Sequence, residues 1–286
     1  MRILLTLAFI AAFTPAVLRA EPIVNAASGE PTSLSDLLDA ARQADFVLLG
    51  EVHDNIHHHR LRAQFIRELA PDVVIAEHLE QGRQARWQRD STSPTMVIDT
   101  LTEAGFDGPG WQWPLHAPLF EGLARAGIPV LGGNISRDLA RRLVREGSAA
   151  LPATLATTLD KAPLPRTAQA TLDADLLESH CGQLPASRVP GMRLAQRARD
   201  AAMATTLLDL NRKPALLVAG NGHVRTDYGV PVLLSELRPG ARILSIGFLE
   251  EGRSASDEKF YTYIWRTPPA SRDDPCASMK AAKAQN

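Results

Sequence analysis

Phe46-Val47-Leu48-Leu49-Gly50-Glu51-Val52-His53-Asp54-Asn55 decides how the chain is read. Four apolar residues in a row leave no polar face, so 46–49 is predicted to be a strand covered on both sides. Outward from it, His57 to Leu69 reads as a helix closed by Pro71. Val73-Val74-Ile75-Ala76 is a second buried strand that runs into Glu77-His78. Ile128-Pro129-Val130-Leu131 is a third, ending in Gly132-Gly133-Asn134, and Ala215 to Ala219 is a fourth, running into Gly220-Asn221-Gly222-His223. Arg242 to Ile246 makes a fifth. Phe260 to Trp265 alternates less cleanly and is placed as a late edge strand. Residues 79–127 and 136–212 show no convincing strand and read as helical, with breaks around Pro109 to Pro114 and Pro163 to Pro165. The expected fold class is α/β: a mostly parallel central sheet flanked by helices, with a helical insertion capping the carboxyl ends of the strands.

The 286 residues are 45% hydrophobic and 22% charged, enough for a substantial core, and the formal net charge is −1. No basic patch with interleaved aromatics occurs, so no nucleic-acid partner is expected. A Gly-x-Ser-x-Gly elbow, a P-loop and a Gly-x-Gly-x-x-Gly loop are all missing, which removes serine hydrolase, nucleotide-driven and NAD-dependent readings.

Met1-Arg2, the apolar run Ile3 to Phe13 and the small residues up to Ala20 have the layout of a secretory signal peptide over 1–20. An uncleaved N-terminal anchor is the alternative. The expected location is periplasmic or secreted, soluble after cleavage. Cys181 and Cys276 are the two cysteines, and in an oxidising compartment they are expected to pair and tie the C-terminal tail to the body.

Ligands bind beyond the carboxyl ends of parallel strands, where four strand ends here carry carboxylates, imidazoles or amides. Asp54, Asn55 and Asn134 read equally well as helix caps or turn formers. Glu51 and His53 are not preferred caps, and with His223 they are expected to share a functional site. A carboxylate beside an imidazole binds a divalent metal or performs acid–base chemistry. Glu51, His53 and His223 are the candidate metal ligands; Glu51, His53, Glu77 and His223 are the candidate catalytic set. On a helix His57, His58 and His59 point about 100° apart; one is expected to face the site and the others water. Gln196, Arg197 and Asp200 share one face of a helix predicted from about Met192 to Asn211.

Gly50-Glu51-Val52-His53-Asp54-Asn55 with His58-His59 and Gln64 resembles the opening signature of the ChaN-like haem-binding uptake proteins. Glu178-Ser179-His180-Cys181-Gly182, Gln196 to Ala204, Ala219 to Arg225 with Asp227 and Gly229-Val230-Pro231, and Asp274-Pro275-Cys276 resemble later signatures in the same order. The wider group is the Tiki and erythromycin-esterase-like superfamily. The resemblance implies a single domain over 21–267; the tail over 268–286, with Pro268, Pro269, Asp273, Asp274 and Pro275, is expected to be irregular. The resemblance also implies haem as cofactor, a role in iron uptake, a homodimer with facing haems, and an outer-membrane haem-uptake machinery as partner. In relatives a tyrosine can hold haem, and Tyr228, beside the Asn221-Gly222-His223 loop, is the preferred candidate here. His180, Arg197 and Asn221 complete the expected cofactor-binding set. Trp111, Trp113, Leu115 and Leu119 are candidates to wall a porphyrin slot, and Arg193 and Arg197 to meet its propionates. No cysteine for lipid attachment lies near the cut, so a freely diffusing form is expected.

The superfamily link keeps a second reading open. As a metal-dependent hydrolase, the chain would use His53 as general base, oriented by Glu51, with a divalent metal activating water.

Overall fold

The computed structural model describes residues 22–87, 93–252, 255–274 and 276–277. The expected signal peptide and the end of the tail, residues 278–286, lie outside the described residues. In chain order the elements are β1 (Ile23–Asn25), β2 (Pro31–Thr32), α1 (Leu34–Gln43), β3 (Phe46–Leu49), α2 (Ile56–Leu69), β4 (Val74–Glu80), β5 (Gln84–Ala85), α3 (Pro94–Glu103) and α4 (Ala117–Ala126). There follow β6 (Val130–Asn134), α5 (Arg137–Glu146), α6 (Ala153–Asp160), α7 (Arg166–Ser179), α8 (Val189–Asp209), β7 (Ala215–Val218), α9 (Val230–Leu237), β8 (Ile243–Glu250) and β9 (Tyr263–Thr267). Residues 268–274 carry no helix or strand.

The strands form one sheet in the order β2-β1-β9-β8-β3-β7-β4-β6-β5. The block from β9 to β6 is parallel, and the short strands β1, β2 and β5 pair antiparallel at the margins. The 260–265 segment is therefore not an edge strand. Its strand starts later, at Tyr263, and lies between β8 and β1. Covering on that side comes from residues 23–32, whose three- and two-residue strands carry too little pattern to be read from sequence.

Strand geometry explains why 46–49 is wholly apolar. Side chains alternate between faces: Val47 and Leu49 enter a core formed with α1 to α4, whereas Phe46 and Leu48 enter a second core formed with α5, α6, α8 and α9. Val74, Ala76, Leu216 and Val218 join the first core, and Ile75, Ala215 and Leu217 the second. The second core is rich in alanine where α8 crosses the sheet, with Ala198, Ala201, Ala202 and Ala204 all buried, so helix backbone and sheet pack closely.

Register then places the site. Leu49 lies level with Val218, and Val218 with Ala76. The residues just beyond, Gly50-Glu51, Ala219-Gly220 and Glu77, therefore leave the sheet side by side at its carboxyl edge.

Helix α2 is anchored to that edge. The Asn55 carboxamide oxygen caps it by accepting from the His57 amide at 2.9 Å, while its nitrogen donates to Glu250 at 2.8 Å. The helix ends where Ala70 turns left-handed (φ 52°) ahead of Pro71. His58, His59, Arg62, Ala63, Phe65, Ile66 and Leu69 form its buried face. This corrects the expectation for the histidine triplet: both His58 and His59 are fully buried. They act as brackets for the loop after β3. His58 Nδ1 accepts from the Val52 amide at 2.8 Å and its Nε2 donates to Thr267 Oγ1 at 2.8 Å. His59 Nε2 donates to the His53 carbonyl at 2.9 Å. Burial pulls both imidazoles down, to about 3 and about 4, so each holds its loop contact as a neutral ring.

Candidate functional site

The strand ends open into a cleft of about 960 Å³. Two polar clusters lie along its floor and meet at Gly220.

Glu51 is the centre of the first. Its Oε1 accepts from His53 Nδ1 at 2.6 Å and lies 3.3 Å from His116 Nε2 and 3.4 Å from His78 Nε2. Its Oε2 lies 3.3 Å from His59 Nδ1 and in direct contact with the guanidinium of Arg62. Arg62 also donates to His59 Nδ1 at 2.9 Å. All of these groups are buried except His53, whose side chain is 46% exposed and opens on the cleft. Burial draws the Arg62 guanidinium down to about 9, which still leaves it charged at neutral pH opposite Glu51. His78 is held at 4.4 Å from the Trp111 ring and 5.3 Å from Phe120, and burial pushes its pKa well below the usual imidazole range. His116 is likewise pushed far down by burial, then by its histidine neighbours.

The second cluster is a clamp on His223. Its Nδ1 lies 2.6 Å from Asp200 Oδ1 and its Nε2 3.3 Å from Glu77 Oε1, with Gln196 Nε2 3.2 Å from the ring. Glu77 Oε2 accepts from the Gly220 amide at 2.7 Å. Burial alone would lower the His223 pKa, but Glu77 and Asp200 outweigh it and raise it to about 10. His223 is thus an imidazolium at neutral pH, whereas the Glu77 carboxylate, opposed by burial, is pulled well below its usual range by His223.

Two glycines allow this crowding. A Cβ on Gly50 would fall 2.1 Å from Asn221 Oδ1. That carboxamide bridges to β8, accepting from the Phe248 amide at 3.1 Å and donating to its carbonyl at 2.6 Å. A Cβ on Gly220 would lie 3.0 Å from His53 Cε1 and Nε2 and 3.6 Å from Glu77 Oε2.

Glu51, His53, Glu77 and His223 therefore share one cleft, but in two groups rather than one. His223 belongs with Glu77 and Asp200, and the ligand atoms that gather within 4.8 Å of one another are those of Glu51, His53 and His116. His116 lies 65 residues from Glu51, and nothing in its local sequence marks it. Asp200 and Gln196 were legible as a helix face, and that face meets His223.

The expected cofactor-binding residues are dispersed. Tyr228 is 3% exposed, and its hydroxyl donates to Asp175 Oδ2 at 2.7 Å. Asn221 lines the cleft with both side-chain atoms engaged by Phe248. Arg197 is buried and donates to the carbonyls of Ala162 (2.7 Å) and Tyr228 (3.2 Å), and Arg193 contacts Asp173. His180 caps the end of α7, its Nδ1 donating to the Leu176 carbonyl at 2.7 Å, while its neighbours Glu178, Ser179 and Cys181 line the cleft. Of the expected apolar walls, Trp111 lines the cleft; Trp113 packs against Phe106, and Leu119 is in the core.

A disulfide joins Cys181 to Cys276 across 95 residues. Arg272 is held by Glu250 (2.9 Å) and by Asp54 (2.7 Å), so the segment after β9 runs along the rim of the cleft. No helix among the described residues is long and apolar enough to cross a membrane.

A family model described as "Haem-binding uptake, Tiki superfamily, ChaN" matches residues 37–234. A solved structure titled "Cofacial heme binding to ChaN of Campylobacter jejuni" is similar, with a TM-score of 0.68 at 19% identity, covering 85% of this chain and 95% of that one. Weaker likenesses are the type III effector HopBA1, with a TM-score of 0.46 at 17% identity over 83% and 94% of the two chains, and an erythromycin esterase EreC mutant, with 0.42 at 15% over 92% and 86%. No curated protein matches.

Proposed function

Because the chain belongs to the Tiki-superfamily ChaN family of haem-binding uptake proteins, we propose that it binds haem in the strand-end cleft and serves iron uptake outside the cytoplasm. The observation that carries this reading is the family match across 37–234, a span that contains both polar clusters. The cleft is large enough for a cofactor of this class. Leu79, Trp111, Ile135 and Leu249 give it apolar wall, and Arg137, Arg199 and Arg272 bring cations to its lining in place of Arg193 and Arg197. When bound, the iron supplies the ligation and redox chemistry; the protein's part is to hold and shield the porphyrin. A disulfide suits an oxidising compartment and supports the export reading. A homodimer and an outer-membrane uptake machinery belong to the same proposal as partners.

The hydrolase reading has one observation in its favour, the gathering of Glu51, His53 and His116 ligand atoms. Against a divalent cation there stands Arg62, whose guanidinium already neutralises Glu51.

Titration of the purified, oxidised protein with haemin, followed in the visible spectrum, tests the proposal. A saturable Soret change at fixed stoichiometry is expected. Haemin that never saturates, in a protein that copurifies with a divalent metal, would overturn haem binding in favour of the hydrolase.

A further inference from the structure

The chain after β9 is fastened at the cleft in two places, and the fastenings differ in kind. The first is made of charge and hydrogen bonds. The Asn55 carboxamide donates to the Pro268 carbonyl at 3.0 Å, and the Ala270 amide donates to Glu250 Oε1 at 2.9 Å. Arg272 donates to Glu250 Oε2 at 2.9 Å and pairs with Asp54 at 2.7 Å. Glu250 is buried, and against that burial Arg272 and the Ala270 amide hold its carboxyl down at about 2. This clamp is therefore charged throughout the neutral range.

The second fastening is covalent. Beyond Arg272 the amides of Cys276 and Ala277 turn back on Asp274, which holds the tail to itself and not to the body. There the tie to the body is the bond from Cys276 to Cys181. Its far end follows α7, a helix that packs through Ala168, Leu172 and Leu176 into a small cluster apart from both sheet cores. Arg272, Cys276 and Cys181 all line the cleft, so the segment crosses the rim from the ends of β3 and β8 to the end of α7. Both cysteines are half-buried beside the exposed residues Gly182 and Ala277, which leaves the bridge open to a thiol from outside.

We propose that residues 268–274 with Cys276 form a redox-operated strap over the cleft, hinged at Arg272 and latched by Cys181–Cys276. An external protein dithiol is the reductant. One of its thiolates attacks a sulfur of the bridge, and its second thiol resolves the mixed disulfide. Cys181 and Cys276 each end as a thiol, and the dithiol ends as a disulfide. The clamp at Arg272 stays closed, and the stretch from Asp273 onward swings off the rim. The strap governs entry to the cleft whatever the cleft binds, so it stands or falls independently of the haem reading.

Carbethoxylation of His53, whose ring opens on the cleft, reads the strap. The rate is followed by peptide mass spectrometry in three samples: the oxidised protein, the protein reduced with dithiothreitol and desalted, and the variant Cys181→Ser with Cys276→Ser. Labelling of His53 should rise severalfold in the second and third, while His57, outside the cleft lining, keeps its rate. Hydrogen exchange at the Ala270 amide should stay slow in all three, because the hinge holds. A His53 rate that reduction leaves unchanged would overturn the strap. So would a bridge that dithiothreitol fails to reduce in the native protein, since the latch could not then be worked. Loss of the near-ultraviolet circular dichroism on reduction would make the bridge a structural one and overturn the proposal. Fast exchange at Ala270 in the reduced protein would do the same, since the segment would then have no hinge.

Discussion

Asp200 Oδ1 lies 2.6 Å from His223 Nδ1, a carboxylate from α8 fixed on an imidazole from the turn after β7. With Glu77 on the other side, the ring is an imidazolium buried between two carboxylates. The arrangement serves stability as well as any ligand, and its pH dependence has a definite sign. The folded pKa, about 10, lies above the ordinary histidine value of 6.5. The contribution is therefore fully present below about pH 6.5 and is lost as pH rises through about 10. Urea unfolding midpoints of the wild type should fall between those limits, and His223→Gln should flatten the slope. A wild-type midpoint unchanged between pH 7 and pH 10 would contradict this.

Glu51 and Arg62 form a buried pair within a ring of histidines. Glu51→Gln leaves the guanidinium without its counter-charge and is expected to cost about 3–5 kcal/mol. In the double variant Glu51→Gln with Arg62→Met, the unpaired charge is gone and the loss should be smaller than that of Glu51→Gln alone. Chemical denaturation of the wild type, Glu51→Gln, Arg62→Met and the double variant, read as a double-mutant cycle, measures the difference.

Gly220 has a backbone that alanine adopts freely (φ −59°), so its substitution is a steric test alone. The added Cβ would press on His53 at 3.0 Å. Gly220→Ala is expected to destabilise by about 1–3 kcal/mol and to weaken haemin binding, with the far-UV circular dichroism unchanged. Unaltered binding would show that His53 does not need its present position.

The Cys181–Cys276 bridge closes a long loop, 95 residues apart in sequence. Its replacement by two serines should remove about 4–5 kcal/mol in the chain-entropy account. Thiol titration of the unreduced protein should find no reactive thiol. The melting temperature of the double serine variant, compared with the wild type, checks the size of the effect. Arg272→Ala tests the other anchor of the same segment and should raise the protease sensitivity of the tail, because the guanidinium that ties it to Glu250 and Asp54 is lost.

The sheet was legible because its strands are covered on both sides. Phe46 to Leu49 can be wholly apolar only if each face has a core to enter, and that pattern survives in sequence. Glu51, His53, Glu77 and His223 were legible for a related reason: polar residues directly after buried strands must emerge at one edge of a parallel sheet. The brackets were not legible. Of His57, His58 and His59 two were expected to face water, yet His58 and His59 each reach back six positions to hold Val52 and His53. Polar side chains that serve backbone groups leave no hydrophobic period to detect. The placement of 260–265 at an edge failed because β1 and β2 are too short to announce themselves.

By itself the sequence determined the order of the six parallel strands along the chain, the edge where chemistry gathers, the cysteine pair and the family signatures. These depend on local pattern and on residue types that need no partner to be recognised. Tertiary structure alone decided that His116 and Arg62 surround Glu51, that His223 turns to Asp200 and Glu77, and that Tyr228 is locked on Asp175. Those contacts depend on how α2, α4, α7 and α8 pack against the strand ends. A difference of a few ångströms in that packing settles which carboxylate meets which cation, and so which imidazole is left open to the cleft.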